Sequence, residues 1–359
     1  MSITCRQLNG HSCKTYLVMR EGSRNAVLID PVIGLVEDYL AILSKEGLVL
    51  QVVIDTHTHA DHISGGATLK AKTGCSYLMH ELAPASCADM RMSEGKMVSL
   101  PDGVTASVLH TPGHTRDSVS LVIGDFLFTG DALFLDDGGA GRDDLPGGSS
   151  EDHWESLRKL AELPDHLVVN PAHDYRGRVP SSLGNQKKTN PHLGITTKEA
   201  FLDYIQNLAL GPADWMADVL KANYSCTLDP KAAWIPDDEP VCEVGGTMRS
   251  EVGDIEVDMI SVPDLKRKLS GKKPPVLLDV RNADELTGDL GHIEGITHIP
   301  VGALKSRMGE LDPSQETVTI CKLGPRSQTA AKMLKKAGFA NVSVLEGGMA
   351  AWRKENPSQ

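Results

Sequence analysis

Through the first half of the chain, short apolar runs rich in β-branched residues are separated by Gly, Pro and Asp. "AVLID" (26–30), "LQVVIDT" (50–56), "SVLHTPG" (107–113), "SLVIGDFLFTGD" (120–131) and "HLVVNPAHD" (166–174) each predict a strand. Between them, "LVEDYLAILSKEG" (35–47) and "SEDHWESLRKLAEL" (150–163) carry apolar residues at helical spacing, the second with Ser149 or Ser150 as N-cap. The alternation predicts a mixed α/β fold. Polar residues gather at the C-terminal ends of the strands, where open sheets build their sites.

The pattern lapses over 226–257, where Pro, Gly and acidic residues accumulate without periodicity, and it resumes as a second α/β alternation: "SVPDLKRKLSG" helix, "VLLDVR" strand, "TVTICK" strand, "RSQTAAKMLKKAG" helix, "VSVLEGG" strand and "MAAWRKE" helix. The expected organisation is a domain over 1–230, a linker over 231–257 and a small doubly wound domain over 258–359.

A length of 359 residues suits two or three domains. The net charge of −12 argues against binding a phosphate backbone, so no nucleic-acid partner is expected. Apolar stretches end well short of the ~20 residues that span a bilayer, and the first residues hold no secretory pattern, so the cytoplasm is expected and no membrane partner. A homo-oligomer is left open. Seven cysteines, at 5, 13, 75, 87, 226, 242 and 321, form no CxxC pair. They predict neither a disulfide framework nor a zinc finger, but small buried hydrophobes in a reducing compartment, Cys321 excepted.

The stretch "VIDTHTHADHISGG" (53–66) places His57, His59, Asp61 and His62 directly after a strand. Three later strand ends add His114, Asp131 and His173. Imidazoles and carboxylates converging in this number suit zinc, iron or manganese. The isolated His11, His80, His110, His153, His166 and His192 are expected to be ordinary hydrogen-bonded residues.

HxHxDH followed by His114, Asp131 and His173 resembles the metallo-β-lactamase fold, an αββα sandwich with its metal at the edge of two sheets. "TGDALFLDDGGAGRDDLPGG", "NPAHDYRG" and "KKTNPHL" narrow the resemblance to the persulfide dioxygenases (sulfur dioxygenases), relatives of glyoxalase II. The resemblance implies one Fe(II) per chain on His57, His114 and Asp131, with His59, Asp61, His62 and His173 orienting those ligands. It implies glutathione persulfide and O2 as substrates and sulfite and glutathione as products. Arg142, Tyr175 and Arg178 are the candidates to bind the substrate's carboxylates, and Asp144 and Asp174 to brace the site. In two-metal relatives Asp61, His62 and His173 would hold a second ion, giving a glutathione thioesterase as the rival function.

In "ICKLGPRS" (320–327) a strand delivers Cys321 to a short loop that opens a helix, so backbone N–H groups and the helix dipole face the sulfur. With "LLDVRNADEL", "GHIEGITHIP" and "LEGGMAAW", this stretch resembles the rhodanese sulfurtransferases over about 258–357. The resemblance implies that Cys321 carries sulfane sulfur, that Lys322 and Arg326 favour an anionic donor such as thiosulfate, and that Asp279 and Arg281 pin the loop. Two sulfur-handling sites on one chain raise each other's effective concentration.

Overall fold

A computed structural model describes residues 2–10, 12–175, 177–206, 214–233, 235, 257–281, 283–288, 290–322 and 325–356. Apart from the short stretch 212–215, two compact units meet in sequence at residues 248 and 249. The expected linker lies for the most part outside the described residues, as do His11 and Cys242.

The first unit is built on two sheets. One holds β1 (Ile3–Gln7), β2 (Tyr16–Arg20), β3 (Asn25–Ile29), β4 (Val49–Ile54), β5 (Ser76–His80) and β6 (Met90–Met92) in that order. The other runs β11-β10-β9-β8-β7, comprising β7 (Met97–Ser99), β8 (Thr105–His110), β9 (Val119–Ile123), β10 (Phe126–Gly130) and β11 (Val168–Pro171). Helices α1 (Val36–Glu46) and α2 (Gly66–Thr73) accompany the first sheet. Helix α3 (Ser150–Ala161) lies between β10 and β11, and α4 (Leu183–Thr189), α5 (Pro191–Gly194), α6 (Lys198–Gln206) and α7 (Asp214–Tyr224) follow β11.

Strand periodicity explains the four layers. In β3, Val27 and Ile29 face the core between the sheets, where they meet Val108, Leu121 and Phe128, while Ala26 and Leu28 face Tyr39 and Leu43 of α1. The outer face of the second sheet is likewise covered, with Leu127 and Val169 packing among Trp154, Leu157 and Phe201. Ser149 caps α3, accepting from the Asp152 amide.

Two expectations need correction. The run 120–131 is a hairpin of two strands rather than one, because Gly124 adopts a φ of +59° and Ile123 pairs with Phe126. Cys87 and Cys226, 139 residues apart, form a disulfide. Their spacing concealed this because only the tertiary fold brings the end of α7 to the segment after β5.

The second unit has a wholly parallel sheet in the order β12-β16-β15-β13-β14, from β12 (Asp258–Ile260), β13 (Val276–Asp279), β14 (Thr297–His298), β15 (Thr317–Ile320) and β16 (Val342–Leu345). Helices α8 (Val262–Leu269), α9 (Val301–Arg307), α10 (Pro325–Lys336) and α11 (Gly348–Glu355) complete it. Its central strand β15, Thr317–Ile320, is buried at every position, as a sheet covered on both faces requires. Among the described residues no helix is long and apolar enough to cross a membrane.

Candidate metal and sulfur sites

Three strand ends deliver the first group. His57 follows β4, Asp131 follows β10, and His114 sits in the turn between β8 and β9. Their donor atoms lie within 4.8 Å of one another, with Asp131 Oδ2 at 3.4 Å from His114 Nε2 and 3.8 Å from His57 Nε2. All three side chains are buried, and these three atoms have no hydrogen-bond partner. Buried polar atoms left without partners are costly, so a convergent trio of them fits a cation.

The opposite edge of each ligand is fixed. Thr56 Oγ1 donates to Asp30, leaving its lone pair to accept from His57 Nδ1 at 2.9 Å. His114 Nδ1 donates to the Arg142 carbonyl at 2.5 Å. Both imidazoles therefore turn a bare Nε2 toward Asp131, the orientation that metal-ligating histidines adopt. Burial, then His59, pushes the His57 imidazole down to about 3, so its neutral form persists at neutral pH.

His173 joins this group to a second. Its Nδ1 is 2.6 Å from Asp131 Oδ1 and its Nε2 is 2.7 Å from Asp61 Oδ2. Nδ1 donates to Asp131, and Nε2 faces Asp61 as an imidazolium–carboxylate contact without hydrogen-bond geometry. Burial opposes that charge, but Asp131 and Asp61 outweigh it and carry the imidazole well above its ordinary value. Burial likewise raises the Asp131 carboxyl, yet His173, His57 and His114 override it and hold the group below the usual carboxylate range. Asp61, His62 and His173 share their corner with Cys13, whose thiol lies 3.5 Å from Asp61. His59 falls elsewhere, 3.2 Å from Asp30 and beside Asp55.

The other residues expected here are placed as follows. Tyr175 stacks on His173 at 5.8 Å between ring centroids. Arg142 is buried and forks onto Asp144 at 2.7 and 2.8 Å. Arg178 pairs with Asp174 at 3.0 Å and Asp137 at 2.8 Å. Asp144 and Asp174 thus each pair with an arginine, and both guanidinium charges are already matched within the chain. The remaining histidines are mostly unremarkable: His80 stacks on His110 at 4.2 Å, and His166 is exposed.

Sequence reasoning passed over several supports. Asp30, at the end of β3 with a φ of 53°, accepts from the Thr56 amide and hydroxyl. Asp117 accepts from the Thr58 amide and hydroxyl. Asn223 of α7 donates to the His59 and His62 carbonyls and accepts from the Ser64 amide. The "LID" strand end could have revealed Asp30. Nothing local marks Asn223, which lies about 160 residues from the loop it holds.

In the second unit Cys321 directly follows β15, buried, with Ser327 Oγ 3.4 Å from its sulfur. Leu323 and Gly324 of the expected cradle lie outside the described residues. Gly348 lets α11 approach: a Cβ there would lie 2.4 Å from the Cys321 carbonyl, which accepts from Met349 N at 2.8 Å. Arg281 forks onto Asp279, both buried, as a structural pair. Lys322 is exposed. Arg326 is held by Glu285 through two bonds of 2.6 and 2.8 Å, so its charge is already partly met.

Two family models match the chain: the metallo-beta-lactamase superfamily over residues 8–173 and the rhodanese-like domain over 261–355. These define a metallo-β-lactamase-fold protein with a rhodanese domain. The mouse mitochondrial persulfide dioxygenase ETHE1 is 33% identical over 59% of this chain and 83% of its own length. The crystal structure of ETHE1 from Myxococcus xanthus superposes with a TM-score of 0.59 at 38% identity, covering 62% of this chain and 99% of that one. A beta-lactamase hydrolase-like protein of Xylella fastidiosa (strain 9a5c) is 33% identical over 52% of this chain, which spans only about half (51%) of that relative's length. The chain belongs to the ETHE1-type persulfide dioxygenase family and carries a C-terminal rhodanese domain.

Proposed function

We propose that the first unit is a non-haem Fe(II) dioxygenase converting glutathione persulfide, O2 and water to glutathione and sulfite. The second unit then interconverts thiosulfate plus glutathione with glutathione persulfide plus sulfite. The observation that carries the reading is the trio of buried, unpartnered atoms His57 Nε2, His114 Nε2 and Asp131 Oδ2. Two imidazoles and one carboxylate on one side suit an Fe(II) that supplies open positions for O2 and a sulfane sulfur.

The chain's own residues do the rest. Thr56 and the Arg142 carbonyl set the tautomers of His57 and His114, and His173 holds the second oxygen of Asp131. Tyr175 stacks on His173, and in this reading Arg142 and Arg178, each paired with acids of the chain, supply positive charge toward the substrate's carboxylates. In the rhodanese unit Cys321 is the nucleophile, attacking the outer sulfur of thiosulfate and expelling sulfite. Glutathione then takes the sulfur and the thiol is restored. Lys322 and Arg326 supply positive charge for the anionic donor.

A second reading, a two-metal glutathione thioesterase, draws on the Cys13, Asp61, His62 and His173 group. Against it, Nδ1 of His173 is already taken by Asp131; for it, His173 Nε2 and Asp61 Oδ1 are also buried without hydrogen-bond partners. Metal analysis with oxygen uptake on glutathione persulfide decides: one iron and O2 consumption, both lost in His114→Ala, support the dioxygenase. Two metals with thioester hydrolysis support the rival.

A further inference from the structure

One imidazole touches the loops that carry two of the three candidate ligands, Asp131 and His114, and the segment whose carbonyl holds His114. His153, in the first turn of α3, is fully buried. Its Nε2 donates to the carbonyl of Ala132, the neighbour of Asp131, at 2.9 Å. Its Nδ1 is 3.8 Å from Asp143 Oδ2, and Asp143 follows Arg142, whose carbonyl fixes the tautomer of His114.

The third contact is steric. Gly113, with a φ of +147°, immediately precedes His114, and a Cβ on it would lie 2.4 Å from His153 Cβ and 2.5 Å from His153 Cα. The chain can come this close only without a side chain. Main-chain and hydroxyl bonds hold the two segments in this register: Ser149 N donates to Gly113 O at 2.9 Å, and Ser156 Oγ to Pro112 O at 2.6 Å. Phe201 meets the His153 ring edge-on at 6.0 Å, closing its remaining side.

We propose that His153 is a positioning residue for the metal centre, setting the distance between His114 and Asp131 through its bond to Ala132 and its seat against Gly113. The inference rests on the ligand assignment proposed above. His153 touches neither substrate nor metal in this scheme. Removing the Nε2 donor strands a buried carbonyl one residue from Asp131, so the Ala132 segment must shift to find another partner and carries the carboxylate with it.

The test uses the full chain, with anaerobic Fe(II) affinity measured by chelator competition and the visible spectrum of the Co(II) form as a geometric readout. Far-UV circular dichroism and the thermal melt of the full chain serve as the check on folding. His153→Leu is expected to weaken Fe(II) binding by about 10- to 100-fold and to shift the Co(II) spectrum. His153→Gln places an amide near the position of Nε2 and is expected to keep affinity within about threefold of the parent. His153→Asn is too short to reach Ala132 and should behave like the Leu variant. If His153→Leu does not fold, the contrast between Gln and Asn decides by itself. Unchanged affinity and spectrum in Leu and Asn, or equal losses in Gln and Asn, overturn the proposal. His114→Ala runs in parallel: if it keeps Fe(II), the ligand assignment itself is wrong, whereas its loss alongside an unaffected His153→Leu rejects only the positioning role.

Discussion

His173 Nδ1 lies 2.6 Å from Asp131 Oδ1, and the far side of the same ring lies 2.7 Å from Asp61. A single imidazole therefore ties a candidate metal ligand to a carboxylate that sits outside the ligand trio. Removing it leaves two buried acids facing each other without a counter-charge. In His173→Leu the metal-free protein is expected to lose about 3–5 kcal/mol of stability, the cost of breaking a buried pair. Loading Fe(II) recovers part of that loss by neutralising Asp131. Urea unfolding of apo and loaded forms checks this, and equal losses in both forms would count against the ligand role of Asp131.

Asn223 bridges α7 to the metal loop through three hydrogen bonds, and Cys226 anchors the chain three residues later. Asn223→Ala is expected to cost about 2–4 kcal/mol, because two buried carbonyls and an amide lose their partner. Cys226→Ser is expected to cost about 2–5 kcal/mol under oxidising conditions. Thermal melts with and without dithiothreitol separate the two effects. Only the cysteine variant should become insensitive to reductant.

Cys321→Ser is expected to abolish thiosulfate:glutathione transfer while leaving oxygen uptake on glutathione persulfide within about twofold, since the two sites use separate residues. Parallel assays on one preparation check it. Loss of oxygen uptake in this variant would mean that the first unit depends on sulfur delivered through Cys321.

Glu285 holds Arg326 by a two-point ion pair. Glu285→Gln keeps the shape and removes the negative charge, so the loop should attract a dianionic donor more strongly. The expected change is a fall in KM for thiosulfate of about 3- to 10-fold at low salt, fading as ionic strength rises. Steady-state kinetics over a salt series measures it. A rise in KM would show that the carboxylate is needed to aim Arg326.

His192 is fully buried, and burial, then His153, pushes its imidazole down to about 3. The unfolded chain takes up a proton below about 6.5 that the folded chain refuses, so this group withdraws stability as pH falls from about 6.5 toward 3. At up to ~1.4 kcal/mol per pH unit, it accounts for about 2 kcal/mol between pH 6.5 and 5. His192→Leu should lose about that much less over the same range. Urea midpoints of both proteins at pH 7 and pH 5 provide the measurement, and parallel shifts would reject the account.

Much of the first site was legible because its parts are local. HxHxDH occupies one loop, and His114, Asp131 and His173 each stand at a strand end where an apolar run stops. The hairpin within 120–131 was missed since Gly124 and Asp125 interrupt an otherwise continuous apolar stretch that reads as one strand. His153 was set aside as ordinary, and only its neighbours reveal what it touches. Arg142 and Arg178 pair with acids close by in the sequence, Asp144 and Asp174, and only Asp137, 41 residues from Arg178, meets it through folding.

Read alone, the sequence determined the α/β alternation, the metallo-β-lactamase and rhodanese parts and the placing of imidazoles and carboxylates at strand ends, because each is written in residues close together along the chain. Only the tertiary structure decided the Cys87–Cys226 disulfide, the Asn223 clamp, the His173 bridge between two acids and the pairing of Arg326 with Glu285. Those depend on side chains meeting across tens of residues or more. The distance between such groups is set by the packing of sheets and helices, which local patterns of polarity do not encode.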